Sequence, residues 1–248
     1  MTTICHRDEA EKTRRRTRES VFRTDFLRES GGVGSVSPNC KLIEQDPNST
    51  LGAHFHSVSQ FQVVVAGSGF IGRHRAEPLF VQFAAPGTTY GPLQAEENGL
   101  SYLVFRDGVD GGARWMPDSR HDMARADRRR HVVSEPWPAK PLGPNGTATA
   151  RPLIAAEPDG LEATTFTLPA GAAATCRARH AGGARFLVVH AGAVASGDDR
   201  LVAGSCMHLS AADDPPELRA GPDGAEVLLL QFPVPGGVAD ADGGRPAS

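Results

Sequence analysis

Short apolar runs separated by Gly, Pro, Asn and Asp recur along most of the chain. They read "CKLIEQ", "FQVVVAG", "LFVQFAAPG" and "LSYLVFR" in the first half, and "LEATTFTLPAG", "ARFLVVHAGAV", "SCMHLSA" and "AEVLLLQFP" in the second. Each has the length of a β-strand and each is closed by turn-favouring residues, so the pattern predicts an all-β protein. Three stretches break the rhythm. Residues 1–20, with "RDEAEKTRRRTRE", carry charge of both signs and almost no apolar periodicity, which predicts a flexible N-terminal arm or a short exposed helix. Residues 111–149 mix Gly and Pro with arginines and both tryptophans. They read as a linker across the surface, with a short helix near 118–130 and a solvated basic cluster at Arg128–Arg130. Residues 236–248 are of low complexity and predict a disordered tail.

The order of features repeats. "QFQVVVAG", ending at Gly67, parallels "RFLVVHAG", ending at Gly192, and "NGLSYLVFR" parallels "DGAEVLLLQF". A period of about 125 residues is far too long for a solenoid unit and implies two homologous β-domains, over 21–110 and 150–235.

Composition narrows the function classes. The 248 residues carry a net charge of −3 with 22% charged side chains, which gives no signal for a nucleic-acid or membrane-surface partner. The 28 glycines and 19 prolines suit short strands and tight turns. Cys5, Cys40, Cys176 and Cys206 show no CxxC spacing. No apolar run approaches the roughly 18 residues of a membrane span, and no secretory-type opening is visible. The expectation is a cytoplasmic protein with free thiols, in which the glycosylation pattern at Asn145 is a pattern only.

The chemistry concentrates at "HFHSVSQFQVVVAG", residues 54–67. Residues i and i+2 of a strand share a face, so His54 and His56 can enter one cavity, and Gln60 and Gln62 can join them from the next strand. Neutral imidazoles suit Fe, Ni, Cu, Zn or Mn. The stretch resembles the first motif of the cupin superfamily: Asn48 at the turn, five residues, His54-x-His56, three residues, Gln60 where glutamate is usual, six residues, and Gly67. "APGTTYGPLQ" is similar to the second motif, with the turn at Pro86–Gly87, Tyr90 in the usual histidine position and Gln94 in the usual asparagine position.

The resemblance implies a bicupin, two cupin-type jelly-roll β-barrels in one chain, often with an exchanged N-terminal strand, for which "SVFRTDFL" is the candidate. It also implies a divalent transition metal (Fe, Mn, Ni or Zn) on His54, His56, Gln60 and Tyr90. Tyr90 would double as a general base, and Gln62 and Gln94 would contact substrate. Both substitutions weaken such a site. Glutamine brings no charge, and tyrosine must first lose a proton whose ordinary pKa is near 10. Aligned on Gly171 and Gly192, the second barrel reads "CRARHAGGAR". It keeps only His180 and places Arg185 at the glutamate position, which implies a degenerate, metal-free barrel. His190 and His208 read as core residues, and His74, His121 and His131 as exposed. "GSGFIG" (67–72) reads as a β-turn and not a phosphate cradle, because no helix follows.

Two function classes follow. One is a metal-dependent enzyme acting on a small organic molecule in the first barrel, as a dioxygenase or as a lyase or isomerase. The other is a non-catalytic small-molecule-binding or structural cupin without metal. The expected partner is a small molecule, with no nucleic acid and no membrane, and homodimerisation is left open.

Overall fold

The computed structural model describes residues 2–125, 129–134 and 147–234. Its backbone is the same pattern built twice. Gln60–Ile71 pairs antiparallel with Leu93–Gly108 at the centre of one sheet, and Arg185–Ser196 pairs antiparallel with Glu217–Gln231 at the centre of the other. The first sheet runs His131–Val133, Val81–Ala84, Gln60–Ile71, Leu93–Gly108, Val36–Gln45, Val21–Leu27, Arg15–Arg18. The second runs Thr3–Cys5, Cys206–Leu209, Arg185–Ser196, Glu217–Gln231, Glu162–Leu168, Thr149–Ile154. Each is the rolled, all-antiparallel sheet of a jelly-roll barrel, as the cupin resemblance implied.

The continuous apolar runs are buried on both faces. Side chains alternate along a strand. Phe61 and Val63 therefore enter a core shared with Phe186, Val188, Leu228, Leu230 and Phe232 of the second sheet, while Val64 faces the first barrel's own interior. Phe61 and Phe232 meet edge to face with ring centroids 5.0 Å apart, and Phe105 and Phe186 are tilted against each other at 4.8 Å. Burying one such ring stabilises the pairing of the barrels by roughly 2–3 kcal/mol. Leu187 and Val189, in the alternate phase, fill the second barrel.

The repeat is anchored by glycines. Gly67 and Gly192 have φ of +74° and +70°, and a Cβ on either would stand 2.1 Å from a backbone oxygen, of Gly99 and Gly224 respectively. Only glycine fits such an approach.

Several expectations are corrected. The charged N-terminus is not a flexible arm. Thr3–Cys5 is a strand at the edge of the second sheet, with Cys5 opposite Cys206, and Arg7–Glu11 is a short helix. Arg15–Arg18 then returns to pair with Val21–Leu27 in the first sheet. So the strand lent to the other barrel is Thr3–Cys5, and "SVFRTDFL" stays in its own sheet. Three residues of alternation amid dense charge are too short a signal to read. The expected linker is partly sheet as well: Arg114–Trp115 pairs with His54–Phe55, and His131–Val133 with Val81–Ala84. Its helix is one 3-10 stretch, Arg120–Arg125. "GSGFIG" continues a strand through Ile71, and the turn falls at Gly72–Arg73. The tail 236–248, the Asn145 pattern and Arg128 lie outside the described residues. No helix among the described residues is long and apolar enough to cross a membrane.

Candidate functional site

The two motifs meet through their backbones. Asn48 takes the left-handed turn with φ of +57°, and the chain reaches the short strand His54–Phe55. His54 and Tyr90 exchange backbone hydrogen bonds of 3.1 and 3.0 Å, and the Gly87 amide donates to the His56 carbonyl at 2.8 Å. His54, His56 and Tyr90 are thereby buried on one floor, with ring centroids 5.3 Å apart for the two histidines and 4.7 Å for His54 and Tyr90.

Their protons can be assigned from their partners. His54 Nδ1 lies 2.8 Å from the Gly52 carbonyl, which can only accept, so Nδ1 carries the hydrogen. Burial holds His54 below its ordinary pKa and keeps the ring neutral. Its Nε2 lone pair therefore accepts from the Tyr90 hydroxyl, 2.9 Å away. Tyr90 Oη in turn accepts from Gln60 Nε2 at 2.5 Å and Gln62 Nε2 at 3.3 Å. Gln62 Oε1 accepts from Gln82 Nε2, and Gln82 Oε1 from His131 Nε2 at 2.8 Å. One chain of hydrogen bonds thus runs from His131, an exposed residue, to the barrel floor. Burial pushes Tyr90 up to about 12, although Arg106 and the two glutamines pull the other way. In the metal-free site Tyr90 therefore keeps its proton at neutral pH.

Two residues outside both motifs complete the floor. Arg106 and Asp110 are buried, and Arg106 Nη1 donates to Asp110 Oδ2 at 3.0 Å. Arg106 Nε donates to Gln60 Oε1 at 3.2 Å. Arg106 Nη2 stands 3.0 Å from Nδ1 and 3.1 Å from Nε2 of His56. His56 Nδ1 donates to Asp110 Oδ2 at 2.6 Å, and Asp110 Oδ1 accepts from the Ser57 amide and hydroxyl at 2.9 Å. Burial drives His56 down to about 4 and Arg106 adds to it, against the pull of Asp110. Burial also acts on Asp110 in the opposite sense, but the His56 hydrogen bond and the Arg106 charge prevail and hold its carboxyl well below the usual range. The signal for Arg106 was present: Tyr102, Val104 and Arg106 share a face, and Arg106 is in register with Gln60. Arginine in that phase of an apolar strand is a buried cation or a site residue.

These residues do not fit a metal cation. The lone pair that His54 would offer is taken by the Tyr90 hydroxyl, and His56 faces a permanent guanidinium charge. Gln60 and Tyr90, the other two implied ligands, are neutral and bonded to each other. Among the described residues no group of three or more His, Cys, Asp or Glu side chains is placed to hold a metal ion.

Above this floor is a cavity of about 260 Å³. It is walled by Val21, Ile43, Leu51, Tyr102, Val104 and Trp115, and Gln62 reaches it. Gln94 does not: it is exposed, paired with Phe70 and Thr50. The alternation of Leu93 and Ala95 into the interior turns Gln94 outward. The second barrel keeps only a smaller recess of about 160 Å³ at the equivalent place. Arg185 Nη2 donates to the carbonyls of Ser210, at 3.0 Å, and of Asp213, and Gln231 Nε2 to those of Gly160 and His180 at 2.7 and 2.9 Å. His180 is exposed, His208 buried and His190 half-buried, while of the three histidines expected on the surface His121 and His131 are exposed and His74 is half-buried.

No protein-family model matches the chain, and no curated protein sequence does. Solved structures do match. Bacterial pirin from Escherichia coli in complex with nickel(II) superposes with a TM-score of 0.60 at 10% identity, over 94% of this chain and 100% of that one. A single-residue variant of the B. subtilis oxalate decarboxylase gives 0.57 at 11%, over 94% and 78%. Vicilin from Corylus avellana gives 0.56 at 14%, over 88% and 82%. All three are cupin proteins, and an agreement this complete along the chain is an agreement of fold. The chain therefore has the cupin fold, in the form of two jelly-roll barrels joined back to back.

Proposed function

We propose that the first barrel is a binding site for a small organic molecule and that it works without a bound metal. The observation that carries this reading is the buried Arg106 guanidinium, 3.1 Å from His56 Nε2, the ring nitrogen at which a ligated cation would have to approach. Two positive charges at that separation in a buried site repel strongly. The likeness to nickel-bound pirin and to oxalate decarboxylase supports a metal-dependent class for the fold, but at 10% and 11% identity it does not reach the ligands. The proton shared between Tyr90 and neutral His54 is the one such a floor could exchange with a bound molecule, which is the elementary act of a lyase or isomerase.

The test is elemental analysis of untagged protein purified without chelator, for the wild type and the His54→Ala/His56→Ala double variant. Less than about a tenth of an equivalent of transition metal, unchanged by added Fe, Mn, Ni or Zn, is expected. About one equivalent, lost in the double variant, would overturn the reading.

A further inference from the structure

We infer that the molecule bound in the first barrel is a small organic anion, held through a carboxylate between the ammonium of Lys41 and the guanidinium of Arg106. This rests on the barrel being a metal-free small-molecule site.

Four cationic side chains line the cavity, Arg18, Arg23, Lys41 and Arg106, against one carboxylate, Asp110. Three of the four have partners. Arg18 lies over the Trp115 ring at 4.5 Å, Arg23 Nε donates to Asp25 Oδ1 at 2.5 Å, and Arg106 is bonded to Asp110. Lys41 is different. It is 7% exposed, yet it makes no ion pair or hydrogen bond to any described residue. Burial is the main influence on it, and with the charges of Arg106 and Arg23 it lowers the ammonium to about 8, against a smaller pull from Glu29 and Asp110. At neutral pH it is still mostly charged. A buried ammonium with no counter-ion is destabilising, and a carboxylate delivered by a ligand removes that penalty while gaining charge-assisted hydrogen bonds.

The geometry suits one carboxylate shared by both cations. Lys41 is in register with Val104, and Val104 with Gln62, so the three form a row across adjacent strands spaced by about 5 Å. Their neighbours in sequence, Cys40 and Leu42, point the other way into the shared core, which leaves Lys41 facing the cavity. Arg106 is two residues along the same face from Val104. Its five N–H groups include donors beyond those given to Gln60, Asp110 and His56. The apolar walls and the modest volume suit a short carbon skeleton.

The 248-residue chain is titrated calorimetrically with acetate, malonate, succinate and benzoate, with the corresponding amides, and with inorganic phosphate. At least one carboxylate is expected to bind at concentrations below about 10 mM, its amide not to bind, and Lys41→Met to weaken binding about tenfold or more, with recovery in Lys41→Arg. Lys41→Met removes an unpaired buried charge, so its melting temperature is expected to equal or exceed that of the wild type, which separates lost binding from lost folding. Equal binding of the amide, phosphate as the only anion bound, no carboxylate bound, or full binding by Lys41→Met would each overturn the inference. Amide binding alone would leave the metal-free site standing, whereas carboxylate binding that required added metal would overturn both.

Discussion

The two barrels differ less in backbone than in what they put inside. Positions 125 residues apart occupy the same register: Gln60 is opposite Arg106, and Arg185 is opposite Gln231. The same amide–guanidinium pair is present with its members exchanged between strands. One step further in, Gln62 and Val104 of the first barrel correspond to Leu187 and Leu229 of the second. The first barrel thus has a polar row beside an open cavity of about 260 Å³. The second has leucines on both strands, and a smaller recess of about 160 Å³ remains at its mouth. Arg185 turns to backbone carbonyls there, whereas Arg106 turns to Asp110 and His56. A duplicated fold does not carry a duplicated site, because the backbone fixes where interior side chains point and their identity decides whether room and charge are left over.

The largest expected effect tests how alike the barrels are. Gly67→Ala and Gly192→Ala each drive a Cβ to 2.1 Å from a carbonyl oxygen. Each is expected to cost about 3 kcal/mol or more, in similar measure, by urea denaturation. A large loss for one and little for the other would break the equivalence. Next, Arg106→Met takes a cation from a buried carboxylate and is expected to cost about 3 kcal/mol. Arg185→Met removes donors from two carbonyls near the barrel mouth and is expected to cost about 1 kcal/mol. Equal losses would mean that the two arginines do the same work.

The smallest effect sharpens the comparison by pH. Lys41, whose register position in the second barrel is held by the uncharged Thr164, releases its proton near 8 in the folded chain and near 10.4 in the unfolded one. Its folded pKa is lowered, so its penalty is present below pH 8 and is relieved as pH rises from 8 toward 10.4, which stabilises the ligand-free protein across that window. Carboxylate binding has the opposite sign. The affinity for malonate is expected to fall several-fold between about pH 7 and pH 9.5 in the wild type and to stay flat in Lys41→Met. The charged groups facing Lys41 are Arg106, Arg23, Glu29 and Asp110.

Much of the fold was legible. Strand-length apolar runs, the two Ala-Gly endings and the HxH spacing each report a local requirement: a strand buried on both faces, a backbone too close for any Cβ, two side chains on one face. The site was legible where it lay inside those patterns, at His54, His56, Gln60 and Tyr90. It was lost where phase had to be known. Gln94 matches the second motif by spacing and yet points outward, and Arg106 and Asp110 lie beyond both motifs and still form the floor.

The N-terminus shows the same limit. Thr3–Cys5 becomes a strand because the edge at Cys206–Leu209 offers it unpaired backbone groups, a partner about 200 residues away. By itself, then, the sequence determined the all-β class, the duplication and the histidine pair on one face, since periodicity, glycine and spacing act over a few residues. The tertiary structure alone decided that Tyr90 keeps its proton, that His56 faces a guanidinium and that Lys41 meets no counter-ion among the described residues. Those outcomes depend on burial and on charges from distant strands, and neither is written in any local stretch of the chain.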